Sequence, residues 1–182
     1  MLTDNFAGVD GGGLYLQNAT VDMLHVTLAR NTVYSDVIYG GNGIYLNASA
    51  AWLTNTIIVS HTVGVEANSG STATLASTLW GRGAWANVTD TLQVGGVVIT
   101  TTDQRGVPAF VDPNGGDYHI TRTSAALDAG EHAGVTEDID GDPRPLGNDY
   151  DIGADEYVGC MARLNAGRVY TSVQAAIHAS RA

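Results

Sequence analysis

Asp138-Ile139-Asp140-Gly141-Asp142 sets three carboxylates at alternate positions around one glycine, and Asp149, Asp151, Asp155 and Glu156 follow soon after. Alternating carboxylates on a tight loop suit Ca²⁺, which takes several hard oxygens at about 2.3–2.6 Å. The spacing departs from the EF-hand loop, because Gly141 comes too early and Pro143 follows it. A structural turn uses the same residues differently: Asp side chains accept bonds from nearby backbone amides and pair with Arg144. We read Asp138, Asp140 and Asp142 first as such a turn, with Ca²⁺ as the alternative and no cofactor required.

A second candidate is an outward column of Tyr15, Tyr45 and Glu66. Flat rings on a β face can stack on sugar rings, and neighbouring amides or carboxylates can bond sugar hydroxyls. The same aromatic pair would also stabilise adjacent strands by roughly 0.2–1 kcal/mol with no ligand at all. His25, His61, His119, His132 and His178 show no metal-ligand spacing, and each reads as structural or surface. Trp52, Trp80 and Trp85 fit core or face equally; Trp80 replaces an aliphatic member of its column.

Such columns require a repeating chain. Gly41-Asn42-Gly43-Ile44-Tyr45-Leu46-Asn47 has a near copy in Gly11-Gly12-Gly13-Leu14-Tyr15-Leu16-Gln17, and a weaker one in Gly64-Val65-Glu66-Ala67-Asn68. In step with it, Leu24, Leu53 and Leu75 align, as do Thr27, Thr56 and Thr78, then Leu28, Ile57 and Leu79, then Ala29, Ile58 and Trp80. Leu2, Asn5 and Ala7 align with Leu28, Asn31 and Val33, so the chain opens inside a repeat and reads as truncated at its N-terminus. Two short β motifs recurring every twenty to thirty residues or so predict a solenoid, in which stacked coils bury what one coil cannot. Alternation points Leu14, Leu16, Ile44 and Leu46 inward and the tyrosines outward. Gln17, Asn47 and Asn68 fall where the strand bends. Residues 88–102 are strand-rich but lack the repeat.

Composition narrows the function. Net charge is −11 and the chain contains no lysine. Such a chain repels phosphate backbones, so nucleic acid is not an expected partner, and no apolar run is long enough to insert in a membrane. The acidity reads as a solubility feature. The single Cys160 cannot form an internal disulfide. Ten of the fifteen aspartates fall between residues 103 and 156, which marks a change of character there. That segment reads as an irregular module packed on the last coil to close its open edge.

The glycine-rich strand repeats resemble right-handed parallel β-helix proteins of the pectin-lyase-like superfamily. A second set of submotifs runs Pro108-Ala109-Phe110-Val111-Asp112-Pro113, Gly116-Asp117-Tyr118-His119-Ile120, Ser124-Ala125-Ala126-Leu127-Asp128-Ala129-Gly130, Asp138 to Pro145, and Asp151-Ile152-Gly153-Ala154-Asp155-Glu156. It resembles the C-terminal part of bacterial surface β-helix proteins with a choice-of-anchor Q module. Val107 and Thr121-Arg122-Thr123 depart from that pattern. The tail from Val169 to Ile177 is similar to the capping helix that opens many pectin-lyase-like domains, with Val173, Ala176 and Ile177 on one face and Val169 extending it. That implies either the start of a neighbouring β-helix domain or a cap for this one.

The resemblance implies an all-β, right-handed parallel β-helix over 1–102, an Asp-rich closing module over 103–158, and a linker with a short C-terminal helix over 159–182. It also implies an extracellular or cell-surface location. The expected function is a non-enzymatic module that binds polysaccharide or adheres to it. A fragment of a polysaccharide lyase or glycoside hydrolase is the alternative, and an architectural spacer is another. Against an enzyme, acids are sparse across the repeats, and Arg30 and Arg82 have no carboxylate at an aligned outward position. No residue is therefore assigned a catalytic role.

Overall fold

The computed structural model describes residues 1–34 and 43–159, with two short strands beyond them, Ala162–Arg163 and Val169–Tyr170. It is all-β, and its strands stack in parallel as a β-solenoid of about four turns. The first, partial coil carries β1 (Leu2–Thr3) and β2 (Phe6–Ala7). The second carries β3 (Leu14–Gln17), β4 (Thr20–Leu24), β5 (Thr27–Ala29) and β6 (Thr32–Val33). The third has β7 (Ile44–Asn47) and β8 (Ala50–Val59), and the fourth β9 (Val63–Asn68) and β10 (Thr72–Gly81). β11 (Thr89–Val94), β12 (Val97–Thr101) and β13 (Gln104–Gly106) follow. One sheet runs β1-β5-β8-β10-β12, with β4 beside β8 and β13 beside β10; the other runs β3-β7-β9-β11.

The coils bend at residues with left-handed backbone. Asn18, Ala48, Gly70 and Gly95 form one corner column, with φ from 47° to 83°. His25, Asn55, Ser77 and Thr102 form a second, and Asp4, Arg30 and Ser60 a third, in which Asp4 pairs with Arg30 at 2.8 Å, correcting the expectation that Arg30 has no aligned carboxylate. This conformation is strained for most side chains, and its recurrence marks where the coil must turn. Contacts between neighbouring corners step by 30, 22 and 25 residues.

Those steps correct two expectations. Residues 88–102 do repeat: β11 pairs with β9 and β12 with β10, both in parallel. Their repeat is carried by the corners Gly95 and Thr102 rather than by any apolar motif. In addition, Met23 rather than Leu24 pairs with Leu53, and Thr27, Leu28 and Ala29 pair with Ile57, Ile58 and Val59. The corner His25 stacks on Asn55, so the step there is 30 rather than 29. Leu24 consequently faces solvent while Met23 is buried. From the third coil to the fourth the expected register holds, with Leu53, Thr56, Ile57 and Ile58 opposite Leu75, Thr78, Leu79 and Trp80.

Two apolar cores share the long strands. Leu28, Ile44, Leu46, Leu53, Ile58, Val65, Leu75 and Trp80 fill the solenoid. On the other face of the same strand ends, Ala29, Ile57, Val59 and Leu79 meet Phe110, Tyr118, Ile120, Ala126 and Ile152 from the Asp-rich segment. Sheet buried on both faces reads as a continuous apolar run, as in Ile57-Ile58-Val59.

The Asp-rich segment, which contains the antiparallel pair β14 (Phe110–Asp112) and β15 (Asp117–Ile120), therefore does not sit on the last coil alone. It runs back along the flank of every coil. Tyr118 Oη donates to Asp4, Arg30 donates to the carbonyl of Pro113, and Ala154 N–H donates to Thr27 Oγ1 at 3.1 Å. Asn55 exchanges hydrogen bonds with the backbone of Glu131 at 2.6 and 2.8 Å. A further correction concerns the tail: Val169 belongs to a short strand antiparallel to Ala162–Arg163. The helical face expected at Val173, Ala176 and Ile177 lies outside the described residues.

Polar side chains also stack along the axis. Asn5 Nδ2 donates to Asn31 Oδ1 at 2.9 Å, and Asn31 Nδ2 lies 3.1 Å from His61 Nε2. His61 Nδ1 lies 3.2 Å from Asn87 Oδ1. The amide donor on one side and the carbonyl acceptor on the other select the neutral Nδ1–H tautomer. Burial lowers the His61 pKa to about 4, and a second proton would face the Asn31 amide.

A buried neutral histidine gives stability that is full above the unfolded pKa near 6.5 and lost as pH falls toward 4. The loss is on the order of 3 kcal/mol for His61. His25, also lowered to about 4 by burial and by the Arg144 charge, acts in the same direction. Asp151, raised to about 7 by burial, has the opposite slope between pH 4 and 7. Comparing urea midpoints of wild type and His61→Asn at pH 7.5 and 5.0 isolates the histidine. Asn can keep both bonds, so the variant should lose less stability on acidification than wild type; equal losses would refute the assignment.

Candidate functional site

Tyr15 and Tyr45 pair in register between β3 and β7, and their rings stack 5.2 Å apart at 6°. Each ring uses one face on the other, so the pair is a strand-stabilising ladder with only its outer faces and edges open. Tyr15 is 44% exposed. The Tyr45 hydroxyl is raised in pKa by burial and by the nearby carboxylates Asp10 and Glu66. Glu66 continues the column, opposite Tyr45, as expected. It is nevertheless only 2% exposed and so cannot serve as an open sugar ligand. It lies between Tyr45 and Leu92 in the column, and Asn68 Nδ2 donates to its Oε1 at 3.0 Å.

Around the first corner lies a broader outward surface. Thr20, Ala50, Thr72 and Val97 form one row of the β4-β8-β10-β12 sheet, and Asp22, Trp52, Thr74 and Ile99 the next. Trp52 is 46% exposed. Between this sheet and the tyrosine ladder an open groove of about 410 Å³ is lined by Asn18, Thr20, Ser49 and Thr72. Trp80, by contrast, is buried and donates its indole N–H to Asp103 at 2.9 Å, and Trp85 packs edge-on against Phe110. The sequence placed Trp52 no better than the other two. The signal was available: Trp52 alternates with the inward Ala51 and Leu53.

The Asp-rich loop is a turn built by its own carboxylates. Asp138 Oδ1 accepts the backbone N–H of Asp140 and of Asp142 at 2.9 and 2.8 Å, and Oδ2 accepts that of Glu156 at 3.0 Å. Asp138, with both oxygens accepting backbone amides, is thus the turn residue of the first reading, and the three carboxylates Asp138, Asp140 and Asp142 of the Ca²⁺ alternative are not the ones brought together. Further along, Asp151 accepts from the amides of Asp128 and Tyr157, and Asp128 from those of Asn148 and Asp149. These acids replace the backbone partners that a loop-rich segment lacks.

Asp140 instead turns toward β15. One ligand atom from each of His119, Asp140 and Asp155 lies within 4.8 Å of the others. No protein-family model, curated protein or solved structure matches the chain. The site must therefore be read from its own geometry. Asp155 is buried, and its Oδ2 accepts the Ile120 amide at 2.7 Å. Burial raises its pKa to about 6 against the pull of that amide and of His119. For His119, burial opposes protonation, but Asp117, Asp155 and Asp140 outweigh it and raise the pKa. The sequence reading assigned neither His119 nor Asp155. Asp117 and His119 alternate on one strand and share a face, which was a legible sign; the approach of Asp155 was not.

Proposed function

We propose that the chain is a non-enzymatic extracellular or cell-surface β-solenoid module whose outward sheet face binds polysaccharide. The carrying observation is Trp52, half-exposed on a regular four-strand surface between Asp22 and Thr74, beside an open polar groove. An indole face supplies the apolar platform that a sugar ring covers, and the threonines, Asn18 and Asp22 supply hydroxyl, amide and carboxylate partners. The likeness of the closing submotifs to choice-of-anchor Q surface proteins supports the location.

The test is size-exclusion chromatography with a panel of acidic and neutral polysaccharides, with and without Ca²⁺. Co-elution without shortening of the polymer supports the proposal. Trp52→Ala should then weaken binding about ten- to thirty-fold, the loss of a central aromatic anchor, and Tyr15→Ala should weaken it less. Polymer shortening would favour a lyase or hydrolase instead. Absence of co-elution across the panel would favour the spacer.

A further inference from the structure

A depression of about 260 Å³ opens between β15 and the turn at 139–142, lined by Val111, His119, Asp140, Asp142, Asp155 and Tyr157. We propose that His119, Asp140 and Asp155 bind a divalent transition-metal ion there, with zinc as the best fit. The donor set is one imidazole nitrogen and two carboxylates. Ca²⁺ takes oxygen ligands, whereas zinc takes both kinds at about 2.0–2.2 Å.

The imidazole is oriented for this role. Asp117 Oδ1 lies 2.5 Å from His119 Nδ1 and also accepts the His119 backbone N–H at 3.1 Å. The carboxylate thereby holds the proton on Nδ1 and aims Nε2 into the depression. Nε2 is closed to solvent and lies 2.8 Å from Asp140 Oδ2, out of line for a hydrogen bond. A carboxylate that fixes the far nitrogen is the usual support of a metal-bound histidine. Asp155 is fixed in turn by the Ile120 amide on Oδ2.

Asp140 is the adjustable member. It sits on an exposed turn whose next residue, Gly141, has φ of 81°. Two ligands of one tetrahedral zinc stand about 3.4 Å apart. The three ligand atoms already lie within 4.8 Å of one another, so the site closes with a movement of at most about 1.4 Å. Water on the open side completes the coordination. Asp138, bonded to the Asp140 amide, positions the turn rather than binding the ion.

The full chain, stripped with EDTA, would be titrated with ZnCl₂ by calorimetry, and separately with CoCl₂ followed by visible absorption. The expected result is zinc uptake at this site that equimolar CaCl₂ does not displace, with a cobalt d–d band. Asp140→Asn should weaken zinc at least ten-fold and abolish that band. Asp117→Asn, acting only through the imidazole, should cost about ten- to a hundred-fold. His132→Gln should change neither reading. Asp140 is exposed, so its variant is expected to fold, and circular dichroism checks this if His119→Gln fails. Absence of zinc uptake, uptake unchanged in folded Asp140→Asn, or displacement by equimolar Ca²⁺ would each overturn the proposal.

Discussion

Glu156→Gln should destabilise the protein by about 3–5 kcal/mol, read from chemical denaturation at pH 7.5. Glu156 and Arg144 form an ion pair at 2.8 Å with both side chains 0% exposed. Glu156 Oε2 also accepts the Asp151 amide, and Oε1 accepts that of Leu146. Arg144 Nη2 donates to the carbonyl of Gly153 at 3.0 Å. Gln keeps the shape but removes the charge, and its amide group can be placed only by setting N–H against N–H. The guanidinium is then buried with no counter-charge, which costs more than the pair contributes. The double variant Arg144→Met, Glu156→Leu should accordingly lose less than the sum of the single variants Arg144→Met and Glu156→Leu. Additive losses would show that the two charges act independently.

Gly43→Ala should cost about 3 kcal/mol, at the upper end for overpacking, because the obstacle is backbone. Gly13 and Gly43 immediately precede β3 and β7, Gly64 is the second residue of β9, and the three stack along the axis. A Cβ on Gly13 would lie 2.7 Å from Gly43 O, one on Gly64 2.6 Å from Asp90 O, and one on Gly43 well inside contact with Gly64 O. The Gly43 carbonyl and amide also bond to Leu14 N–H and Val63 O, so the coils cannot part there without breaking the ladder. Gly83 is the comparison: it has φ of 61° but nothing within 4 Å of its Cβ position. Gly83→Ala should cost only about 1 kcal/mol of backbone strain. Equal thermal shifts for the two variants would mean that conformation, not clearance, explains Gly43.

The glycine repeats were legible because a solenoid writes its geometry into every coil. Leu14, Leu16, Ile44 and Leu46 alternate as a half-buried strand must, and the register of β3 on β7 follows from that alternation alone. Asn5 over Asn31 and Leu2 over Leu28 were visible for the same reason. The coil over 89–102 was not, because its signal is backbone conformation at Gly95 and Thr102, which threonine does not advertise. The one-residue error at Leu24 has the same source. Apolar residues on both sides of a strand make adjacent registers look alike, and only the corner at His25 decides between them.

The amino-acid sequence by itself determined the stacked parallel coils, the inward and outward faces of the regular strands, and the change of character at residue 103. These depend on periodicity, which is local. Tertiary structure alone decided where the Asp-rich segment lies and that Asp140 meets His119 and Asp155. Each of these joins residues from segments with no common period. The partners are chosen by which apolar face remains uncovered and which backbone amides still need an acceptor.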